Sequence, residues 1–149
     1  MKSYIKFMCL CGDFMTSDNF NWYWLHELGT ILLDSDDEAY LRTAINRFYF
    51  SAFCEARDYL IQNKIYYNEK FRKILHSRSG NVHSATSLIF RRAHEFRPEE
   101  VGLGIDYSLT NLRKLRNIAD YETPSKDFKN IAIESKSNSY FVFNTLRDL

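Results

Sequence analysis

The sequence predicts an all-α protein, an antiparallel bundle of about five helices. Apolar residues recur at intervals of three and four through most of the chain, as the buried stripe of a helix requires. Only 5 glycines and 2 prolines occur in 149 residues, too few for a protein built from hairpins. Hydrophobic residues make up 45% and aromatic residues 16%. That is a globular composition, in a chain long enough to bury a core without disulfides or metal.

Residues 1–19 read as an N-terminal extension and 20–149 as the helical domain. The opening MKSYIKFMCLCGDF has an apolar run too short for a membrane span and weak as a signal peptide. Translation starting at Met15 would omit most of the extension. FNWYWLHELGTILL at 20–33 is the first helix. Ser35 followed by Glu38 forms a capping-box pattern and opens the longest helix. Its buried stripe is Leu41, Ile45, Tyr49, Ala52, Ala56 and Leu60, with Arg42, Arg47 and Arg57 mostly off it. Asn68 caps a short helix, EKFRKILH, and SRSGN makes a turn. Val82, Ala85, Ile89 and Ala93 mark the next amphipathic helix. RPEEVGLG, with two glycines, reads as a loop, after which Asp106 caps a helix whose core face is Leu109, Leu112, Leu115 and Ala119. Pro124 stops that helix. Thr123 caps the last one, with Phe128, Ala132, Ser135, Ser139, Val142, Leu146 and Leu149 as its stripe. Two serines in that stripe point to close approach of a neighbouring helix.

Net charge is +1 and names no partner. Its distribution is uneven. Between residues 70 and 97, Lys70, Arg72, Lys73, Arg78, Arg91, Arg92 and Arg97 face only Glu95, a segment able to attract a polyanion or simply to form a solvated face. Cys9, Cys11 and Cys54 have neither zinc-site spacing nor a disulfide pattern, which points to a reducing, cytoplasmic setting. Cys54 reads as a small core residue. His26, His76 and His94 lack partners at metal-ligand spacing and read as surface or rim residues. No metal or cofactor is expected.

The stretch LTNLRKLRNIADYETP at 109–124 carries a second chemistry. Arg113, Arg116 and Asp120 share a helix face, and Asn117 and Tyr121 are also four apart. Taken as residues alone, Arg116–Asp120 reads as a surface ion pair worth at most ~1 kcal/mol, and Tyr121 as a core residue with its hydroxyl at the rim.

RTAINRFYFSAFCEARDYL at 42–60, NVHSATSLIF at 81–90 and LRKLRNIADYETP at 112–124 resemble, in order, segments of the HEPN superfamily of small helical bundles. The last resembles its R-x-x-A-D-Y branch. The resemblance covers most of residues 36–148. It implies a HEPN-like RNA-targeting protein of a toxin–antitoxin or phage-defence system, and a metal-independent endoribonuclease acting as a homodimer. A small nucleotidyltransferase-type antitoxin would be its partner. Arg116 would hold the phosphate, with Asn117, Asp120 and Tyr121 beside it in the catalytic site. Arg113, Arg47, His83, Arg91 and Arg92 would contact RNA. Arg47 would either be exposed or lean toward Asp120, the second being favoured. His83, near a helix start, would face the site or cap the helix. One departure stands out: no histidine follows Arg116 anywhere in the chain. Tyr121 stands in its place, and a phenol with a reference pKa near ~10 is a poor base at neutral pH. The alternative is a non-catalytic dimerisation or partner-docking module in which Arg116–Asp120 is structural.

Overall fold

The computed structural model describes residues 20–96, 98–123 and 127–149, and these form an all-helical bundle without strands. The expectations for Cys9, Cys11, Met15, Arg97 and Pro124 lie outside the described residues. Six helices follow one another: α1 (Tyr23–Leu33), α2 (Glu38–Gln62), α3 (Glu69–Leu75), α4 (Val82–Arg92), α5 (Glu99–Tyr121) and α6 (Phe128–Arg147). Five are long, and α3 adds a seven-residue helix.

The axis of the bundle is α2, whose predicted stripe is buried throughout. Side-chain contacts fix the direction of its neighbours. Trp22 reaches Asp58 and Gly29 abuts Phe48, so α1 runs antiparallel to α2. Arg42 reaches the carbonyl of Ala119 and Asn46 reaches Asp120, while Arg116 lies over Tyr49, so α5 is antiparallel as well. Arg42 over Phe128 and Ser51 beside Ser139 make α6 parallel to α2. Helix α4 packs antiparallel to α5 through Ser84–Arg113, Ser87–Thr110 and Arg91–Asp106.

The core of the last helix follows its predicted stripe from Phe128 to Leu146, all buried. Leu149 is instead half exposed, because it lies beyond the helix end at Arg147. The two serines do mark close approach. The Ser139 hydroxyl shares a hydrogen bond with Nδ1 of His26 at 2.9 Å and lies 3.4 Å from Ser51. His26 is therefore a core residue, 1% exposed, and not the rim residue its sequence context predicts. It stacks on Tyr23, and a hydroxyl partner makes its burial tolerable. His76 and His94 are exposed as expected, and Cys54 is buried.

Two predicted caps move. Asp37, not Ser35, caps α2, accepting from the Ala39 amide; Ser35 accepts from Asp37 one step earlier. Asp127, not Thr123, caps α6 by accepting from the Asn130 amide. Asn68 caps α3 as predicted. Two long cations close the other helix ends. Arg42 donates to the carbonyls of Ala119 and Glu122 at the end of α5, and Lys129 to those of Leu33, the last residue of α1, and Ser35 just past it. Orphan carbonyls at the negative end of a helix favour such partners.

The largest correction concerns 98–104, the described part of the expected loop. The expected loop is the first part of α5, which starts at Glu99 with Pro98 in the cap position and Glu99 and Glu100 in the first turn. Proline followed by two acidic residues is a helix-start signal, and here it prevails over the two glycines. Both glycines serve packing. A methyl at Gly102 would clash with the Phe90 carbonyl oxygen, well inside van der Waals contact, and one at Gly104 would lie 2.9 Å from the Phe141 ring. Asp106 then falls inside the helix, 5% exposed. It accepts from Arg91 at 2.6–2.7 Å and from Ser87 at 2.6 Å. Removing Arg91 strands a buried carboxylate. Because Arg91 itself is half exposed and Ser87 remains, Arg91→Ala is expected to cost about 2 kcal/mol, read from urea unfolding.

Candidate functional site

Along α2, Arg42, Asn46, Tyr49 and Phe53 form one row at spacings of four and three, facing the end of α5 and the start of α4. Helix α5 presents Arg113, Arg116 and Asp120 to that row. Helix α4 adds His83 and Ser84 from its first turn. Where the three helices meet they leave a groove of about 300 Å³, lined by Tyr49, Phe53, His83, Ser84, Arg91 and Arg113 among others.

Arg116 pairs with Asp120 at 2.9 Å, and its guanidinium lies 5.4 Å from the centroid of the Tyr49 ring. Asp120 also accepts from Asn46 at 2.8 Å. The residue that reaches Asp120 from α2 is thus Asn46 and not Arg47, whose Nε is buried and has no hydrogen-bond partner. Arg113 donates to Ser84 at 2.8 Å. His83 lies in the first turn of α4, its Nδ1 2.5 Å from the Tyr49 hydroxyl, with its ring 4.1 Å from that of Phe53.

Burial, then the nearby charges of Arg113 and Arg116, hold the His83 imidazole down to about 4. Burial raises the Tyr49 phenol to about 12. At neutral pH both are uncharged. In the tautomer that carries its proton on Nδ1, His83 donates to the Tyr49 oxygen and its Nε2 keeps a lone pair. The groove therefore combines a neutral imidazole with the Arg113 guanidinium, and the Arg116 guanidinium lies beside it over Tyr49, an arrangement suited to an oxyanion.

The predicted cluster on α5 is split. Asn117 and Tyr121 stand on the outer side of the helix with Thr110, Lys114 and Glu122, along a shallow hollow that Arg113 also borders. Tyr121 is 79% exposed, not at the rim of the core. Arg91 borders the groove but spends its guanidinium on Asp106. Arg92 lies over Tyr67, away from the groove lining. Tyr49, Asn46 and Ser84 are site residues that the sequence reading did not bring to the site. The polar pair Arg42–Asn46, one step past Leu41 and Ile45 and leading onto Tyr49 of the stripe, is the signal for the first two.

Among the described residues no cluster of His, Cys, Asp or Glu could hold a metal ion, and no helix is long and apolar enough to cross a membrane. Comparison of the chain with protein-family models, curated proteins and solved structures finds no match.

The buried imidazole of His26 and the half-buried one of His83 predict an acid-sensitive fold. His26, held down to about 4 by burial, and His83 at a similar value are neutral in the folded chain at a pH where the unfolded chain is protonated. Their contribution is fully present above about pH 6.5 and is lost as the pH falls toward 4. The urea midpoint is expected to drop steeply across that window. His83→Gln should flatten part of the slope, and an unchanged slope would show that His83 does not titrate with unfolding.

Proposed function

We propose that the protein is a HEPN-like RNA-targeting protein, of the kind found in toxin–antitoxin and phage-defence systems, and that its groove cleaves RNA without a metal. One observation carries the reading. A histidine on α4 and two arginines on α5 converge over Tyr49, so the base that the α5 motif lacks comes from another helix. In the reaction, Nε2 of His83 takes the proton of a ribose 2′-hydroxyl. The 2′-oxygen attacks the adjacent phosphorus, the bond to the 5′-oxygen breaks and that oxygen takes a proton from solvent, leaving a 2′,3′-cyclic phosphate. Arg113 and Arg116 hold the non-bridging oxygens. A phosphate placed between them offsets the charges that depress His83, and so raises its basicity when substrate is bound.

The homodimer belongs to this proposal. The outer side of α5 presents Leu103, Tyr107, Lys114 and Tyr121, spaced as a helix-pairing seam, with the three apolar or aromatic members 47–79% exposed. A dimer is expected by light scattering at micromolar concentration, and a monomer there would count against it. A nucleotidyltransferase-type partner is the further expectation of the same reading.

The test is cleavage of a labelled single-stranded RNA by purified protein in the presence of a chelator. Arg113→Ala and Arg116→Ala are each expected to lower the rate about 100-fold. Arg116 is already engaged by Asp120 and Asn46 holds that pair, which favours a second reading: a docking module without catalysis. Intact, dimeric wild-type protein that leaves RNA uncut would select it.

A further inference from the structure

Outside the groove, α4 leads to an aromatic surface. Ser84, Leu88 and Arg91 line the groove and lie on one side of the helix, and Arg92 continues that side. At 1.5 Å per residue, Arg92 is about 13 Å along the axis from His83. Its guanidinium carbon lies 5.8 Å from the centroid of the Tyr67 ring. Tyr67 is 47% exposed and is braced edge-on by Phe71, at 5.6 Å between centroids and 90° between planes. Phe71 is itself fixed, since its amide donates to the capping side chain of Asn68. The core gains little from a tyrosine left half in solvent. A rigid aromatic face beside a planar cation is what an unpaired base stacks on. Lys70 and Lys73, both exposed on α3, add the charge a phosphate backbone requires.

We propose that Tyr67 and Arg92 form a stacking platform for an unpaired base of single-stranded RNA, on the same strand whose phosphate occupies the groove beside His83 and Arg113. The inference rests on the groove reading above and names its substrate as single-stranded. A duplex keeps its bases stacked inside and offers no free base face here.

The experiment measures fluorescence anisotropy with a labelled 2′-O-methyl oligoribonucleotide of about ten nucleotides, which binds but lacks the attacking hydroxyl, and with a duplex of equal length. Tyr67→Ala is expected to weaken single-strand binding about tenfold, Tyr67→Phe to restore it, and neither to change duplex binding. Wild-type affinity in Tyr67→Ala, or equal losses on single strand and duplex, overturns the platform. If Arg113→Ala still weakens binding in that case, the groove reading stands without it. Loss on Tyr67→Ala with none on Arg113→Ala or Arg116→Ala supports the platform and removes the groove reading. No binding of the single strand by wild-type protein overturns both.

Discussion

Gly102→Ala is expected to destabilise the protein by about 3 kcal/mol or more, the largest effect among the four described glycines. The added carbon would meet the carbonyl oxygen of Phe90 and, at 3.0 Å, the Cβ of Phe96. A carbonyl near the end of α4 cannot rotate aside like a flexible side chain. Either α5 shifts away from α4 or the last turn of α4 opens. Both would disturb the pairing of Arg91 with Asp106, so the cost goes beyond the local clash. Alanine normally favours a helix over glycine by close to 1 kcal/mol. A Gly102→Ala variant as stable as wild type in urea would show that α4 and α5 do not approach as described. Gly80, with nothing within 4 Å of an added methyl, provides the control.

His83→Gln is expected to lower RNA cleavage at least 100-fold while retaining helical circular dichroism. Glutamine preserves a polar group near Tyr49 and much of the cover over Phe53, but cannot take a proton. The pH profile adds a readout that a packing role would not move. In the free protein His83 is held to about 4, so kcat/KM should be level above about pH 5 and fall only on the acidic limb below it. With phosphate between Arg113 and Arg116, the charge causes of that depression are offset, and the corresponding limb of kcat should lie at higher pH. Coincident limbs, or full activity in His83→Gln, would remove His83 from the reaction.

The sequence made the bundle legible where one period dominated. The stripe of α2 and that of α6 as far as Leu146 are buried position by position. It misled where a residue type carried two meanings. Gly102 and Gly104 read as loop residues because glycine breaks helices, yet here they admit a neighbouring helix. Asp106 read as a cap because aspartate begins helices, but α4 supplies it with an arginine and a serine. His26 has a hydroxyl partner 113 residues away, beyond the reach of any local pattern. At the site, Arg116 and Asp120 were legible from their spacing. That Asn46 and not Arg47 reaches Asp120 is a matter of about 100° around α2, which only the packed neighbour decides. His83 reached the site through Tyr49, and no spacing within one helix could show that.

The contact of His26 with Ser139, and that of Lys129 with the carbonyls after α1, tie the first helix to the last. During synthesis α1 and α2 emerge early and can pair as a hairpin. Yet α2 also packs against α5 and α6, and those sides have nothing to cover them until residues 99–147 have left the ribosome. The growing chain therefore carries an uncovered row of Leu41, Ile45 and Ala52 for most of its translation. The bundle closes in one late step, and any chain halted before residue 128 would present that row to chaperones and proteases instead.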